Sequence, residues 1–339
     1  MSNTFKLSRR SFVLSAVALA ACKPGSALLE LTGKTMGTHY NIVAVDHGGS
    51  AEKSQVQAAV DASLARINTL MSNWDAGSEV SRFNAARSTD PMAISKELAA
   101  VVQAAEDVHK QSDGYFDITL GPVIEAWGFG APAGLGSAPG TAKIAGALAH
   151  TGQDKLTVSG AYLQKSDPAT QMYLSSIGKG YGVDHVAAAV AALGFKDFMV
   201  EIGGDLYVSG LNADAVSWKI GIESPDLLSG EVADVAKASN LGMATSGDYR
   251  NFFEEDGTRF SHIIDPKTGR PVTHSTASVT VLAENAMLAD AWATGLLAMG
   301  AARGMELADD LQIAALFIDR DAAGSHIKQA STAFAALQT

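Results

Sequence analysis

Apolar residues recur at steps of three and four over residues 51–71, where Val56, Val60, Leu64, Ile67 and Met71 mark one face of an amphipathic helix. A second helix follows the break at Asp90-Pro91, with Leu98, Val101, Val102, Ala105 and Val108 along one side. A small-residue helix is predicted from about Gly178 to Leu193, and a strong helix over Ala286 to Met299. Alternating and β-branched stretches predict a strand pair over residues 29–33 and 39–45, turning at Met36-Gly37. Further strand signals fall at 155–158, 170–174, 198–202, 206–208, 218–222, 252–253 with 260–264, 277–282 and 313–318. Glycine and proline crowd residues 128–140, which reads as a surface loop. No internal repeat and no clean linker interrupts this order. It predicts one α/β (α+β) domain with antiparallel hairpins.

The pattern differs at the N-terminus. Lys6, Arg9 and Arg10 precede a short apolar run, Ser11–Ala21, followed by Cys22. Such a run is shorter than the roughly 20 residues a membrane-spanning helix needs, and fits the apolar core of a signal peptide. Arg9-Arg10 with Phe12 resembles a twin-arginine export signal, and Leu19-Ala20-Ala21-Cys22 a bacterial lipobox. Residues 1–21 are thus expected to be a signal peptide, Cys22 to be lipidated, and residues 22–30 to form a tether.

Composition narrows the classes. The chain has 339 residues, 47% hydrophobic and 18% charged, which is globular and excludes a disordered or fibrous chain. Its net charge of −11 argues against nucleic-acid binding. A single cysteine rules out an internal disulfide, and no Cys/His cluster has zinc spacing. Gly33-Lys34-Thr35 lacks the preceding glycine of a P-loop, and Gly178-Lys179-Gly180-Tyr181-Gly182 lacks the dinucleotide-binding spacing.

Several segments carry candidate chemistry. Asp290 and Thr294 are four apart, so a helix projects both from one face, and a carboxylate with a hydroxyl suits a hard cation. The alternative is that Asp290 caps a neighbouring turn and Thr294 bonds back to its own helix. His262 precedes the Asp265-Pro266-Lys267-Thr268-Gly269 turn, is expected in a strand, and is able to accept a proton near neutral pH. Ser176 to Gly182 opens a helix with small residues and Lys179, an arrangement that favours an anionic group. Trp74, Tyr115 and Phe116 lie beside turns, where they either stack on a planar ring or anchor the core.

Taken together and in order, these segments resemble the ApbE family of FAD:protein FMN transferases. The resemblance rests on Met36-Gly37-Thr38, Met71-Ser72 with Ser78 to Asn84, Tyr115-Phe116-Asp117, Ser176 to Tyr181, Gly203-Gly204-Asp205, Thr245 to Arg250, His262 to Pro271 and Ala289 to Thr294. It implies a single large ApbE-like, T-fold-related domain over residues 31–339, with antiparallel sheets and packed helices. It also implies a reaction in which FMN passes from FAD to a Thr or Ser hydroxyl of a target flavoprotein and AMP leaves, with Mg²⁺ on the pyrophosphate. Carried over by position, Asp290, Thr294 and the backbone carbonyl of Ser176 are the metal ligands. Met36, Trp74, Tyr115, Phe116, Asp117, Tyr173, Lys179, His262 and Ile263 fall on FAD contacts, and His262 is expected to take the hydroxyl proton. One departure stands out: Tyr173 occupies a position where the family commonly has Asp. The implied partners are flavin-carrying subunits of membrane redox complexes, and the implied location is the periplasmic side of the inner membrane through a lipid on Cys22. Water as acceptor, giving an Mg-dependent FAD pyrophosphatase, and a non-catalytic FAD-binding lipoprotein are the competing readings.

Overall fold

The computed structural model describes residues 27–48, 52–130, 137–226 and 230–339. The expected signal peptide, Cys22 and part of the 128–140 loop lie outside the described residues. The described chain opens with β1 (Ala27–Thr35) and β2 (Thr38–Asp46), joined through Met36 and Gly37 at φ 49° and 74°. Positive φ at both positions gives a two-residue turn whose twist matches that of a hairpin. Residues 27–30, read from sequence as the end of a tether, already belong to β1.

α1 (Lys53–Met71) buries the face that the periodicity selected. After α2 (Glu79–Ala85) and the short β3 (Met92–Ala93), α3 (Lys96–Gln111) likewise buries Leu98, Val101, Val102, Ala105 and Val108. Its start is fixed by Ser95 Oγ, which accepts from the Leu98 amide at 3.1 Å. α4 (Gly121–Ala126) and α5 (Thr141–Leu148) lead to β4 (Leu156–Ser159) and β5 (Tyr162–Lys165), a hairpin that β3 extends. Residues 170–174 differ from expectation: they belong to no strand.

α6 (Gly178–Ala192) follows, then β6 (Phe198–Ile202), β7 (Asp205–Ser209), β8 (Trp218–Glu223), β9 (Val232–Ala238) and β10 (Leu241–Gly247). Two small ladders come next, β11 (Phe252–Glu255) with β12 (Thr258–Ser261), and β13 (Ile264–Asp265) with β14 (Arg270–Pro271). His262 therefore sits in the bend between β12 and β13, not within a strand as expected. The chain closes with β15 (Thr276–Ala283), α7 (Ala286–Met299), α8 (Ala301–Asp310), β16 (Ala314–Arg320), β17 (His326–Ala330) and α9 (Thr332–Gln338).

Among the described residues, one eight-stranded sheet in the order β1-β2-β6-β7-β10-β15-β16-β17 organises the molecule, with every neighbour antiparallel. One face carries α1, α6 and α7 over Ile42, Val200, Ala244, Val279 and Phe317. The other carries the β8–β9 hairpin and α9 over Leu206, Met243, Leu282 and Leu316. β15 is covered on both sides and is buried at every position but the last. β8 alternates buried and exposed residue by residue, as a strand with one wet face must.

Candidate active site

α6 and α7 cross at their N-terminal ends so closely that side chains are excluded. A Cβ on Gly180 would fall 2.2 Å from the Ala286 carbonyl oxygen, and one on Gly242 would fall 2.2 Å from the Ala286 nitrogen. The two helices then exchange carboxylates. Asp184 of α6 accepts from the Ala286 and Met287 amides of α7, both at 2.8 Å. Asp290 of α7 accepts from the Gly180 amide of α6 at 3.0 Å. Each carboxylate satisfies first-turn N–H groups that its own helix cannot, at the end where the helix dipole favours negative charge. Burial outweighs the two amide bonds at Asp184 and pushes its carboxyl up to about 6.

Asp290 is 4% exposed. Burial, with the neighbouring Asp205 next, pushes its carboxyl up to about 8. Asp205, at the start of β7, is buried beside it and forms an ion pair with Lys179. Burial alone would lower the Lys179 pKa, but Asp205 and Asp290 raise it above its usual value. The cluster holds two carboxyls against one ammonium, and with its raised pKa Asp290 keeps its proton at neutral pH. One turn beyond Asp290, Thr294 Oγ1 lies 3.0 Å from Ser246 Oγ. Of the two uses weighed for this pair, Asp290 does cap a neighbouring turn, whereas the Thr294 hydroxyl meets β10.

Ser176 lies in the turn that leads into α6, half-buried. The segment before it is held by side chains in place of a strand. Asn73 accepts from the Leu174 amide at 3.0 Å and donates to the Met172 carbonyl at 2.8 Å. Asn84 bonds both the amide and the carbonyl of Met172 at 2.8 Å. Tyr173 is buried, its ring against Gly121 and its hydroxyl donating to Glu125 Oε1 at 2.7 Å.

The remaining candidates are unequally placed. Met36 is half-buried, with its methyl over Gly182 of α6. Trp74 is 66% exposed, next to the Asn73 clamp. Tyr115 is half-exposed, with Lys267 Nζ and Arg303 Cζ at 4.5 and 5.1 Å from its ring centre. Phe116 and Ile263 are core side chains in the same cluster as Ile177 and Trp292. Asp117 accepts from the Thr119 amide and hydroxyl at 2.7 and 2.5 Å, and burial raises its pKa. His262 is half-buried; its Nδ1 and its amide both point to the Asn251 carbonyl at 3.0 Å, and its ring meets Phe129 edge-on. Burial lowers the His262 pKa below 6.5.

The contacts thus bring Lys179 and Asp290 together around Asp205, with Thr294 one turn along α7, and place Phe116 and Ile263 in one core cluster. The ApbE family model matches residues 36–317 of this sequence. The chain belongs to the ApbE family. It is 42% identical over 304 residues to the FAD:protein FMN transferase of Vibrio cholerae, covering 90% of this chain and 91% of that one. It is 40% identical over 330 residues to the protein of that name from Haemophilus influenzae, covering 95% of each. The solved flavin transferase ApbE from Vibrio cholerae superposes with a TM-score of 0.85 at 39% identity, over 92% of this chain and 99% of that one. The single α+β domain read from the sequence is the ApbE fold.

Within this ApbE chain, sequence reasoning passed over Asp184, Asp205, Asn73 and Asn84 as individual site residues. Asp205 stood in plain view in Gly203-Gly204-Asp205, where a carboxylate after two glycines at a strand start signals close backbone packing. Asp184 stood one turn beyond Gly180. Nothing in the sequence pairs either Asn with the backbone of Met172.

Proposed function

We propose that this chain is a FAD:protein FMN transferase that joins FMN, through a phosphoester, to a Thr or Ser hydroxyl of a target flavoprotein. The observation that carries the reading is the buried Asp290–Asp205–Lys179 cluster with the Thr294 hydroxyl alongside. Two carboxyls beside one ammonium, with a hydroxyl one helical turn along, form a hard-oxygen donor set that fits Mg²⁺, which would take the place of the Asp290 proton. Asp290, Thr294 and the Ser176 carbonyl would hold it. Bound there, Mg²⁺ would neutralise charge on the FAD pyrophosphate.

The chain's own groups supply the rest. Lys179 stays protonated and adds positive charge next to the diphosphate. Met36, Trp74, Tyr115, Phe116, Asp117, Tyr173 and Ile263 contribute FAD contacts, with Phe116 and Ile263 acting from within the core. The Asn251 carbonyl accepts only, so His262 Nδ1 carries the proton and Nε2 keeps its lone pair. His262 Nε2 takes the proton from the acceptor hydroxyl while that oxygen bonds the FMN phosphorus and the phosphorus–oxygen bond to AMP breaks. AMP departs with the displaced phosphate oxygen. Residues 1–21 are proposed as the export signal and Cys22 as a lipid anchor facing the periplasm, where the acceptors are flavin-carrying subunits of membrane redox complexes.

Incubating the protein with FAD, Mg²⁺ and a flavin-accepting subunit tests the reading. Covalent flavin on the acceptor is expected; free FMN with AMP and an unlabelled acceptor would instead mean hydrolysis. His262→Ala is expected to lower transfer by at least about 100-fold while FAD binding, read by fluorescence quenching, persists.

A further inference from the structure

His262 is placed by a carbonyl, and that carbonyl is placed by a clamp formed by residues far from it in sequence. The loop from Asp248 to Asn251 follows β10 and ends at the carbonyl that receives both the amide and Nδ1 of His262. Arg320, at the end of β16, grips the front of this loop. Its Nη1 and Nη2 donate to Asp248 Oδ2 and Oδ1, both at 2.8 Å, a two-pronged bond that fixes direction as well as distance. Arg259 of β12 adds a third bond, from Nη2 to the Asp248 carbonyl at 2.9 Å. The Asp248 amide donates to the Ala277 carbonyl at 3.0 Å, and the Arg320 amide to the Ser275 carbonyl at 2.9 Å. Both ends of the clamp are therefore rooted in the central sheet.

The clamp is sheltered, with side-chain exposures of 26% for Arg320 and 14% for Asp248, so solvent screens it less than a surface pair. It also works from behind. On the β11–β12 hairpin, Phe252 pairs with Ser261 and Glu254 with Arg259, so these side chains share one face. Phe253 and Phe260 share the other, where they meet Trp127 and Phe129, and the His262 ring meets Phe129. Arg320 and Arg259 line a cleft with Tyr249, Phe252 and Glu254 on the far side from that aromatic cluster. Arg320 lies beyond residue 317, where the family match ends.

We propose that Arg320 is a positioning residue for the transfer reaction. Through Asp248 it holds the Asn251 carbonyl at His262 Nδ1, keeping the imidazole in the tautomer whose Nε2 faces the acceptor hydroxyl. The proposal rests on the reading of His262 as the proton acceptor.

The test measures steady-state transfer and the imidazole nitrogen-15 spectrum of histidine-labelled protein, with the His262 signals identified by their loss in His262→Gln. In the unaltered protein the His262 pattern is that of a protonated Nδ1. Arg320→Gln is expected to lower kcat by about 10- to 100-fold, leave KM for FAD within about twofold, and mix the two His262 tautomers. A wild-type kcat, or a loss of kcat with the Nδ1–H pattern intact, overturns the proposal. If Arg320→Gln melts below the assay temperature, Arg320→Lys carries the same test, because it keeps the charge and loses the two-pronged bond. If His262→Ala transfers at the wild-type rate, the assignment of His262 as base fails, whatever the Arg320 variants do.

Discussion

At the scale of single residues, His262 and Asp290 are opposite cases of burial. Desolvation lowers the His262 pKa below 6.5, so the imidazole is neutral and ready to accept a proton at pH 7. A base whose folded pKa is depressed disfavours the protonated form, so both stability and the competent state are lost as pH falls. Single-turnover transfer is therefore expected to stay level through neutral pH and to decline only below 6.5, by up to about tenfold per pH unit; an acid limb above that value would contradict the assignment. Asp290 is pushed the other way, up to about 8, because burial and Asp205 both oppose its charge. A divalent cation relieves that opposition. Saturating Mg²⁺ at about 100 times its dissociation constant is expected to stabilise the protein by about 2.7 kcal/mol, and calorimetry on Asp290→Asn is expected to show no such rise. The spacing of Asp290 and Thr294 was enough to nominate them, since helical geometry turns a four-residue step into a shared face. Asp205 was not readable in the same way, because its partners Lys179 and Asp290 come from two other elements.

At the scale of elements, the exchange of carboxylates between α6 and α7 ties the two helices into one unit. Asp184→Ala leaves two α7 amides without their acceptor, and loss of such a cap costs about 1–2 kcal/mol. The sign of its pH dependence follows from the shift to about 6. The folded state holds the Asp184 proton more tightly than the unfolded chain, whose carboxyl titrates near 3.8, so the stability linked to this group is lost as pH rises between those values. Denaturant titrations are expected to show a larger cost of Asp184→Ala at pH 4 than at pH 8; a cost that grows with pH would refute the account. α1 and α3 were legible because each buries one apolar face, α7 because it is apolar and buried nearly all round, and β8 because only one of its faces is wet. β10 was not, since Gly242, Ala244 and Ser246 are small so that α7 can lie on them. Residues 170–174 misled for the converse reason. Their backbone is bonded by Asn73, Asn84 and Ile118, partners that no hydrophobic pattern reports.

At the scale of the whole molecule, the candidate residues run from Met36 to Thr294 along a chain folded as one α+β domain around one sheet, so the proposed site draws on elements from most of the chain. Membrane attachment is a different matter, because Cys22 lies outside the described residues and none of the candidate site residues lies before Met36. Cys22→Ser is therefore expected to move the protein from the membrane pellet to the soluble periplasmic fraction while transfer to a soluble acceptor fragment stays at the wild-type rate. Retention in the pellet would count against the lipid anchor.

The start of β1 at Ala27 turns that anchor into a ruler. From Cys22 to Ala27 even a fully extended backbone reaches no more than about 18 Å. β1 is also an edge of the sheet, so a lipid on Cys22 would hold the folded body by that rim. With the proposed lipid on Cys22, the enzyme would sample a thin shell of space above the bilayer. Acceptors that present their hydroxyl inside that shell would meet it at high local concentration, and those whose flavin-bearing segment stands farther out would be beyond its range. Leash length would then select among substrates independently of the pocket.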